Sequence, residues 1–184
     1  PTLREITTRA PSARVARGGE QEGRRRLERF LNDGVADYER TRHDLATDGT
    51  SRLSPYLHFG CVSANEVVTR AREAGAVTEE FARQLCWRDF YLQLLAANPG
   101  SATEDLPERE RDWADDDEAL TRWREGRTGY PIVDAGMRQL HEEGWVHNRA
   151  RLIVASFLTK TLNIDWRLGE RVFSELLVDG DVAN

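Results

Sequence analysis

Two stretches of the chain gather residue types that could hold an anion or a flat ring. The run Gly49-Thr50-Ser51-Arg52-Leu53-Ser54-Pro55 puts three hydroxyls just before a helix start. Ser54 followed by Pro55 has the pattern of an N-cap with proline at the first helical position. Unpaired main-chain N–H groups at such a start, joined by hydroxyls, make a ready anion site; the same run also reads as a plain capped helix behind a polar loop. Farther on, Gln84, Trp87, Arg88 and Tyr91 stand at i, i+3, i+4 and i+7 and share one helical face. An indole beside an amide and a guanidinium suits a planar, hydrogen-bonding ligand such as a base or a flavin. It equally suits a core tryptophan with two satisfied polar neighbours.

Two further groups carry polar chemistry. In Trp145-Val146-His147-Asn148-Arg149-Ala150-Arg151, the residues Asn148, Arg151 and Leu152 fall on one helical face. His147 has the type of a catalytic acid but no paired nucleophile, and a histidine at a helix start also serves as a cap or a core residue. Asn and two Arg around an indole suit recognition better than hydrolysis. Asp179 and Asp181 near the C-terminus offer two carboxylates without a His/Cys or third-carboxylate partner nearby, so no metal site is expected there. A salt bridge to an arginine or a ribose hydroxyl contact fits them as well.

The elements that must position these groups read as helices. Leu27, Phe30, Leu31 and Tyr38 line one face of a first, broken helix, interrupted at Asp33-Gly34; residues 41–53 are a polar loop; Ser63-Ala64-Asn65-Glu66 is a capping box for a helix ending at Gly75. From Thr78 to Ala97 the pattern is apolar nearly all round in its second half, which predicts a helix buried in the core. A long acidic loop over 99–115 leads to a short helix near 116–125. Tyr130-Pro131 opens a helix with Ile132, Val133, Met137 and Leu140 inward, ending at Gly144, and helices near 147–161 and 165–178 complete the chain. No run alternates with period two, so the expected class is all-α, helices packed around one core.

Composition sets outer limits. The chain has 184 residues, is 32% charged and carries a net charge of −6. Residues 101–120 hold nine acids against two arginines, so the rest is close to neutral and the total charge says nothing about nucleic acid. All but one of the 26 basic residues are arginines. No apolar run approaches the roughly 18 residues of a membrane span. Without a signal stretch, Cys61 and Cys86 read as buried reduced thiols of a cytoplasmic protein.

Five ordered motifs resemble the C-terminal, FAD-binding helical domain of the DNA photolyase and cryptochrome family: GTSRLSPYLHFG at 49–60, QLCWRDFY at 84–91, TGYPIVDAGMRQL at 128–140, GWVHNRAR at 144–151 and DWRLGERVFSELLVDGD at 165–181. The resemblance covers residues 24–184, with 1–23 left as a linker or loose arm. It implies a FAD folded into a U, its pyrophosphate held by Thr50, Ser51, Leu53 and Ser54. Tyr38 then flanks the cofactor, Arg151 and Asp179 form a charge pair beside the flavin, and Asp181 lies near the ribose. Trp87 matches the indole that packs on a flipped pyrimidine dimer, Asn148 and Arg149 match residues at the lesion, and Arg42 matches an arginine near the damaged strand's phosphates. Gln84, Trp87 and Asn148 are the residues implied at the reaction, and Trp113 and Trp166 match the outer and middle members of a tryptophan relay.

The implied function is light-driven repair of cyclobutane pyrimidine dimers, with reduced FAD as cofactor and damaged DNA as partner, in a protein that is monomeric at full length. The Trp-x-His-Asn-Arg pattern favours cyclobutane over (6-4) lesions. A cryptochrome-like blue-light receptor without repair is the alternative. Gln84 stands where many cyclobutane enzymes have Glu. The family's antenna domain, with any antenna chromophore, is absent, and the DGD motif stops short of its usual continuation. The chain therefore reads as an incomplete domain, expected to be inactive by itself.

Overall fold

The computed structural model describes residues 12–75, 79–105 and 111–183. Residues 1–11 of the expected arm, the expected helix start at Thr78, and Glu108 and Glu110 of the acidic stretch lie outside them. The described residues contain helices and no strand, as the periodicity predicts. In order, α1 is Glu20–Arg29, followed by a π-helical turn Phe30–Gly34, a 3-10 turn Val35–Asp37 and α2, Tyr38–Thr41; α3 is Ser54–His58, α4 Ala64–Glu73 and α5 Glu79–Ala97. Then come a 3-10 turn, Pro99–Ala102, within the stretch read as a loop; α6, Asp117–Arg124; α7, Pro131–Glu143; α8, Asn148–Ser156, extended by a π-helical turn Phe157–Thr161; and α9, Trp166–Leu176.

Instead of one core there are two clusters of buried apolar side chains. The first is built by α1 to the start of α5, around Leu27, Phe30, Tyr38, Tyr56, Val67 and Phe81. Its centre is an aromatic trio, with Phe30 and Phe81 at 4.9 Å and Tyr38 at 5.7 and 5.5 Å from them. Edge-to-face pairs of this kind add to the area they bury. The second is built by α6 to α9 around Trp123, Met137, Leu140, Val154, Leu158 and Val172. Trp123 is fully buried, and its indole N–H donates to the Val154 carbonyl at 3.0 Å, which satisfies its one polar atom.

Local signals set the helix ends. Ser63 accepts the Glu66 N–H at 3.0 Å and caps α4, the serine half of the expected capping box, while the Glu66 carboxylate reaches across to Arg24 at 2.9 Å. Asp116 and Asp165 cap α6 and α9. Gly144 ends α7 at φ 62°, a conformation that favours glycine. A Cβ there would meet Val178 Cγ1 at 2.9 Å, where the chain after α9 passes to donate its Val178 N–H to the Gly144 carbonyl.

Several expectations need correction. The helix α5 is not buried all round: Phe81 and Leu85 are buried, but Trp87, Phe90 and Tyr91 are 48%, 49% and 42% exposed. Its first turns reach the first cluster; beyond Leu85 the helix runs clear of it, and the three rings pack on one another. Ile132 is exposed because it precedes the inward face set by Val133, Met137 and Leu140. Cys86 is exposed and Cys61 half-buried, so neither is a core thiol. The first helix begins at Glu20, inside the segment read as an arm, and residues before it are held: Tyr56 donates its hydroxyl to the Arg17 carbonyl at 2.6 Å, and the Arg14 N–H donates to the Glu142 carbonyl at 2.7 Å.

Candidate functional site

The hydroxyl-rich loop packs where the two clusters meet. Ser54 is the first residue of α3 and caps nothing; the preceding position is Leu53, without a side-chain cap. This corrects the expected N-cap at Ser54. Its hydroxyl accepts instead from the Trp145 indole N–H at 3.1 Å, across from the turn between α7 and α8. Leu53 is buried, and the Ser51 hydroxyl faces the Leu53 N–H at 3.4 Å. The Thr50 hydroxyl is buried and has no hydrogen-bond partner among the described residues. Arg52 supplies the anchor that the sequence pattern did not reveal. It sits at φ 50°, donates to Asp48 at 2.7 Å and Glu143 at 2.9 Å, and covers the Trp145 ring at 4.3 Å. A left-handed backbone at a long side chain is uncommon and is kept by such surrounding contacts.

From Trp145 the chain passes directly to a second set of groups. Arg151, on α8, donates its Nε–H to the Val146 carbonyl at 3.0 Å and binds both oxygens of Asp179 at 2.8 and 2.7 Å. The Asp179 side chain is almost completely buried. Nη2 alone spans the two carboxylate oxygens, and the Nε–H bond to Val146 anchors the guanidinium from its other side, so the pair is fixed in direction as well as in distance. This pair borders a groove of about 380 Å³ between α8, α9 and the turn after α9, to which Asn148, Arg151, Leu152, Trp166 and Asp181 contribute. Asp181 accepts the Ala183 N–H at 2.8 Å through one oxygen. Trp166 donates to Asp105 at 2.7 Å.

The remaining expected site residues stand elsewhere. Tyr38 is buried in the aromatic trio, where burial raises its phenol above the ordinary range and the nearby Arg42 guanidinium works against that. Arg42 is turned inward to Glu80 at 2.7 Å. Arg149 is exposed and donates to His43 Nδ1 at 2.9 Å. Trp87 stacks on Tyr91 at 5.8 Å and 28°, one turn along α5, and Gln84 on the same face is half-buried. Trp113 is half-buried under the Arg111 guanidinium at 5.1 Å. The structure thus joins Asn148, Arg151, Asp181 and Trp166 around one groove, with Asp179 buried behind Arg151. It ties Ser54 to that groove through Trp145 and Val146.

A sequence profile of the FAD binding domain of DNA photolyase matches residues 81–184. The chain belongs to that family. It is similar to the deoxyribodipyrimidine photo-lyase of Streptomyces griseus, 57% identical over 171 residues that cover 92% of this chain and 38% of that protein. Among solved structures, the cryptochrome of Synechocystis sp. PCC6803 superposes with a TM-score of 0.91 at 32% identity, covering 100% of this chain and 41% of its own. An archaeal photolyase from Sulfolobus tokodaii, solved with two FAD molecules, gives 0.84 at 39% identity, over 95% of this chain and 39% of its own. The chain therefore spans well under half the length of these relatives. Within this photolyase-type domain, His43 is the residue near the site that lies outside every group the sequence singled out, while Arg52 and Trp145 stood inside quoted groups without the partners the fold gives them. The partners of Arg52 and Trp145 lie on distant segments, and His43 carries no local signal.

Proposed function

We propose that this chain holds FAD and that the full-length protein uses it to reverse cyclobutane pyrimidine dimers in DNA under light. The observation that carries the reading is the pair of half-buried Arg151 with buried Asp179, set beside the groove of Asn148 and Asp181, within the stretch that matches the family profile. The donor set suits a dinucleotide. The Thr50 hydroxyl is desolvated and unpartnered, a costly state that a phosphate oxygen relieves. Ser54 accepts from Trp145 and keeps its own O–H free to donate. Asp181 has one oxygen engaged and one for a ribose hydroxyl.

Thr50, Ser51 and Ser54 would hold the pyrophosphate, with buried Leu53 fixing the loop; Asp181 would hold the ribose, and Arg151 with Asp179 would keep a neutral, rigid edge beside the isoalloxazine ring. Tyr38 flanks the cofactor from the first cluster. Reduced FAD, when bound, supplies the light-driven electron that opens the cyclobutane ring. The chain's own residues do the rest. Trp87, already stacked on Tyr91, offers a face to a base taken out of the duplex. Gln84 and Asn148 supply amide donors and acceptors to the dimer, Arg149 meets the lesion beside them, Arg42 would meet the flanking phosphates once it is released from Glu80, and Trp113 and Trp166 carry electrons inward. The partner is damaged DNA, the protein acts as a monomer, and the compartment is the cytoplasm.

The test is a thymine-dimer oligonucleotide incubated with full-length protein carrying reduced FAD, in blue light and in darkness. Loss of dimers in light alone is expected. FAD binding without repair would overturn this reading in favour of the second one, a cryptochrome-like receptor, which the overlap with the Synechocystis structure and the neutral amide at Gln84 support.

A further inference from the structure

Arg149 is held at two atoms by two imidazoles from different parts of the chain. His147, directly before α8, accepts the Arg149 main-chain N–H at its Nδ1, 3.0 Å away, and so caps the helix. His43, in the loop after α2, meets Arg149 Nη2 with its own Nδ1 at 2.9 Å. A guanidinium and a main-chain N–H can only donate, so both Nδ1 atoms must be bare. Each ring is then neutral with its proton on Nε2, and a second proton would turn both acceptors into donors facing donors.

The surroundings resist that second proton. His43 is exposed; the desolvation it does suffer, Arg42 and Arg149 all oppose that proton, and Glu80 on α5 favours it, but Glu80 is already paired with Arg42. Around His147 burial opposes it most, followed by His43, Arg149 and Arg52. The carbonyl of Arg42 faces the buried Nε2 and works the other way, without a hydrogen bond of full geometry. Asp48 and Arg52 line the same cavity of about 160 Å³ as His147, and the Asp48 charge is spent on Arg52, as is that of Glu143. Both imidazoles are held below the usual histidine range.

We propose that His43 and His147 are positioning residues for DNA recognition, which hold the side chain and the main chain of Arg149 in one orientation as long as both rings are neutral. This rests on the reading of Arg149 as a lesion contact. Neutral, the clamp presents Arg149 from a capped helix that also carries Asn148 and Arg151. Protonated, it frees and repels the guanidinium and uncaps α8. Added positive charge attracts any DNA, whereas an unclamped Arg149 recognises the lesion less well. Acid should therefore strengthen binding to intact duplex while weakening the preference for dimer-containing duplex.

Two measurements on the full-length protein test this. Imidazole ¹⁵N NMR reads the rings without DNA: at pH 8 both should show bare Nδ1 and protonated Nε2, with midpoints below 6.5. A proton on either Nδ1 at pH 8 would overturn the clamp. Binding of dimer-containing and intact duplexes from pH 8 to 5.5 reads its effect: the preference for the dimer should fall about fivefold, the size of one ordinary hydrogen bond, as suits a solvent-exposed contact. His43→Leu should show the low preference at every pH. His43→Asn, which restores an acceptor that does not titrate, should recover part of it and flatten the profile, and His147→Asn should keep the cap and do the same. A wild-type preference that does not move with pH, or a His43→Leu variant equal to wild type, would sink the proposal. If no preference for the dimer exists even at pH 8, the functional reading fails, and the NMR titration still decides the clamp.

Discussion

Single side chains here are held by specific partners, and the cost of removing them follows from what is left behind. Ser54→Ala removes the acceptor of the Trp145 indole N–H in a half-buried setting. We expect a loss of about 1–2 kcal/mol in urea unfolding and weaker FAD retention in a flavin titration; unchanged affinity would remove Ser54 from the phosphate site. Asp134 is the more demanding case. It is buried on α7 and accepts from the Thr128 N–H and hydroxyl and the Gly129 N–H, at 2.7, 2.6 and 3.1 Å. Burial alone would raise its carboxyl, but those bonds and Arg138 outweigh it and leave the group below the ordinary carboxylate range. Its contribution is therefore complete above the unfolded value and disappears as pH falls through the folded one. Asp134→Ala should cost about 2–4 kcal/mol at neutral pH, and the gap between the two melting temperatures should narrow in strong acid.

Elements were legible where one face alone decides them. The serine cap at Ser63, the proline start at Pro131 and the glycine stop at Gly144 are local, so they survive in the fold. The second half of α5 was not legible, because an apolar pattern on all sides does not say which side has a neighbour. Nor was the inward turn of Arg42, which depends on Glu80 lying 38 positions away in the chain. The groups of the candidate groove were readable as residue types, but their assembly was not: Asp179 meets Arg151 only because Val178 folds back onto Gly144. Close helix packing sets its own test. A Cβ at Gly169 on α9 would lie 2.4 Å from Leu158 Cδ2. Gly169→Ala should cost about 1–3 kcal/mol, read as a lower urea midpoint at unchanged slope.

On the scale of the molecule, two apolar clusters are joined by a polar seam: Arg52 to Glu143, Ser54 to Trp145, and His43 to Arg149. The Arg151–Asp179 pair belongs to the second side and Trp87 to the first, so their loss should separate. Asp179→Ala strands a guanidinium and should cost about 2–4 kcal/mol, less than a fully buried pair because Arg151 keeps some solvent, with FAD affinity falling in parallel. Trp87→Ala should leave FAD content intact and weaken binding to dimer-containing DNA by about 1–3 kcal/mol; equal affinity in a gel-shift titration would take Trp87 out of the lesion site. The seam also contains its own clock. The Trp145 indole proton is shut between the two sides, on a ring that is 9% exposed, and it reaches water when Ser54 lets go. Its rate of exchange for deuterium thus counts how often the hydroxyl-rich loop lifts off the turn that leads to Arg151, a local opening measurable in the resting protein without ligand, light or DNA.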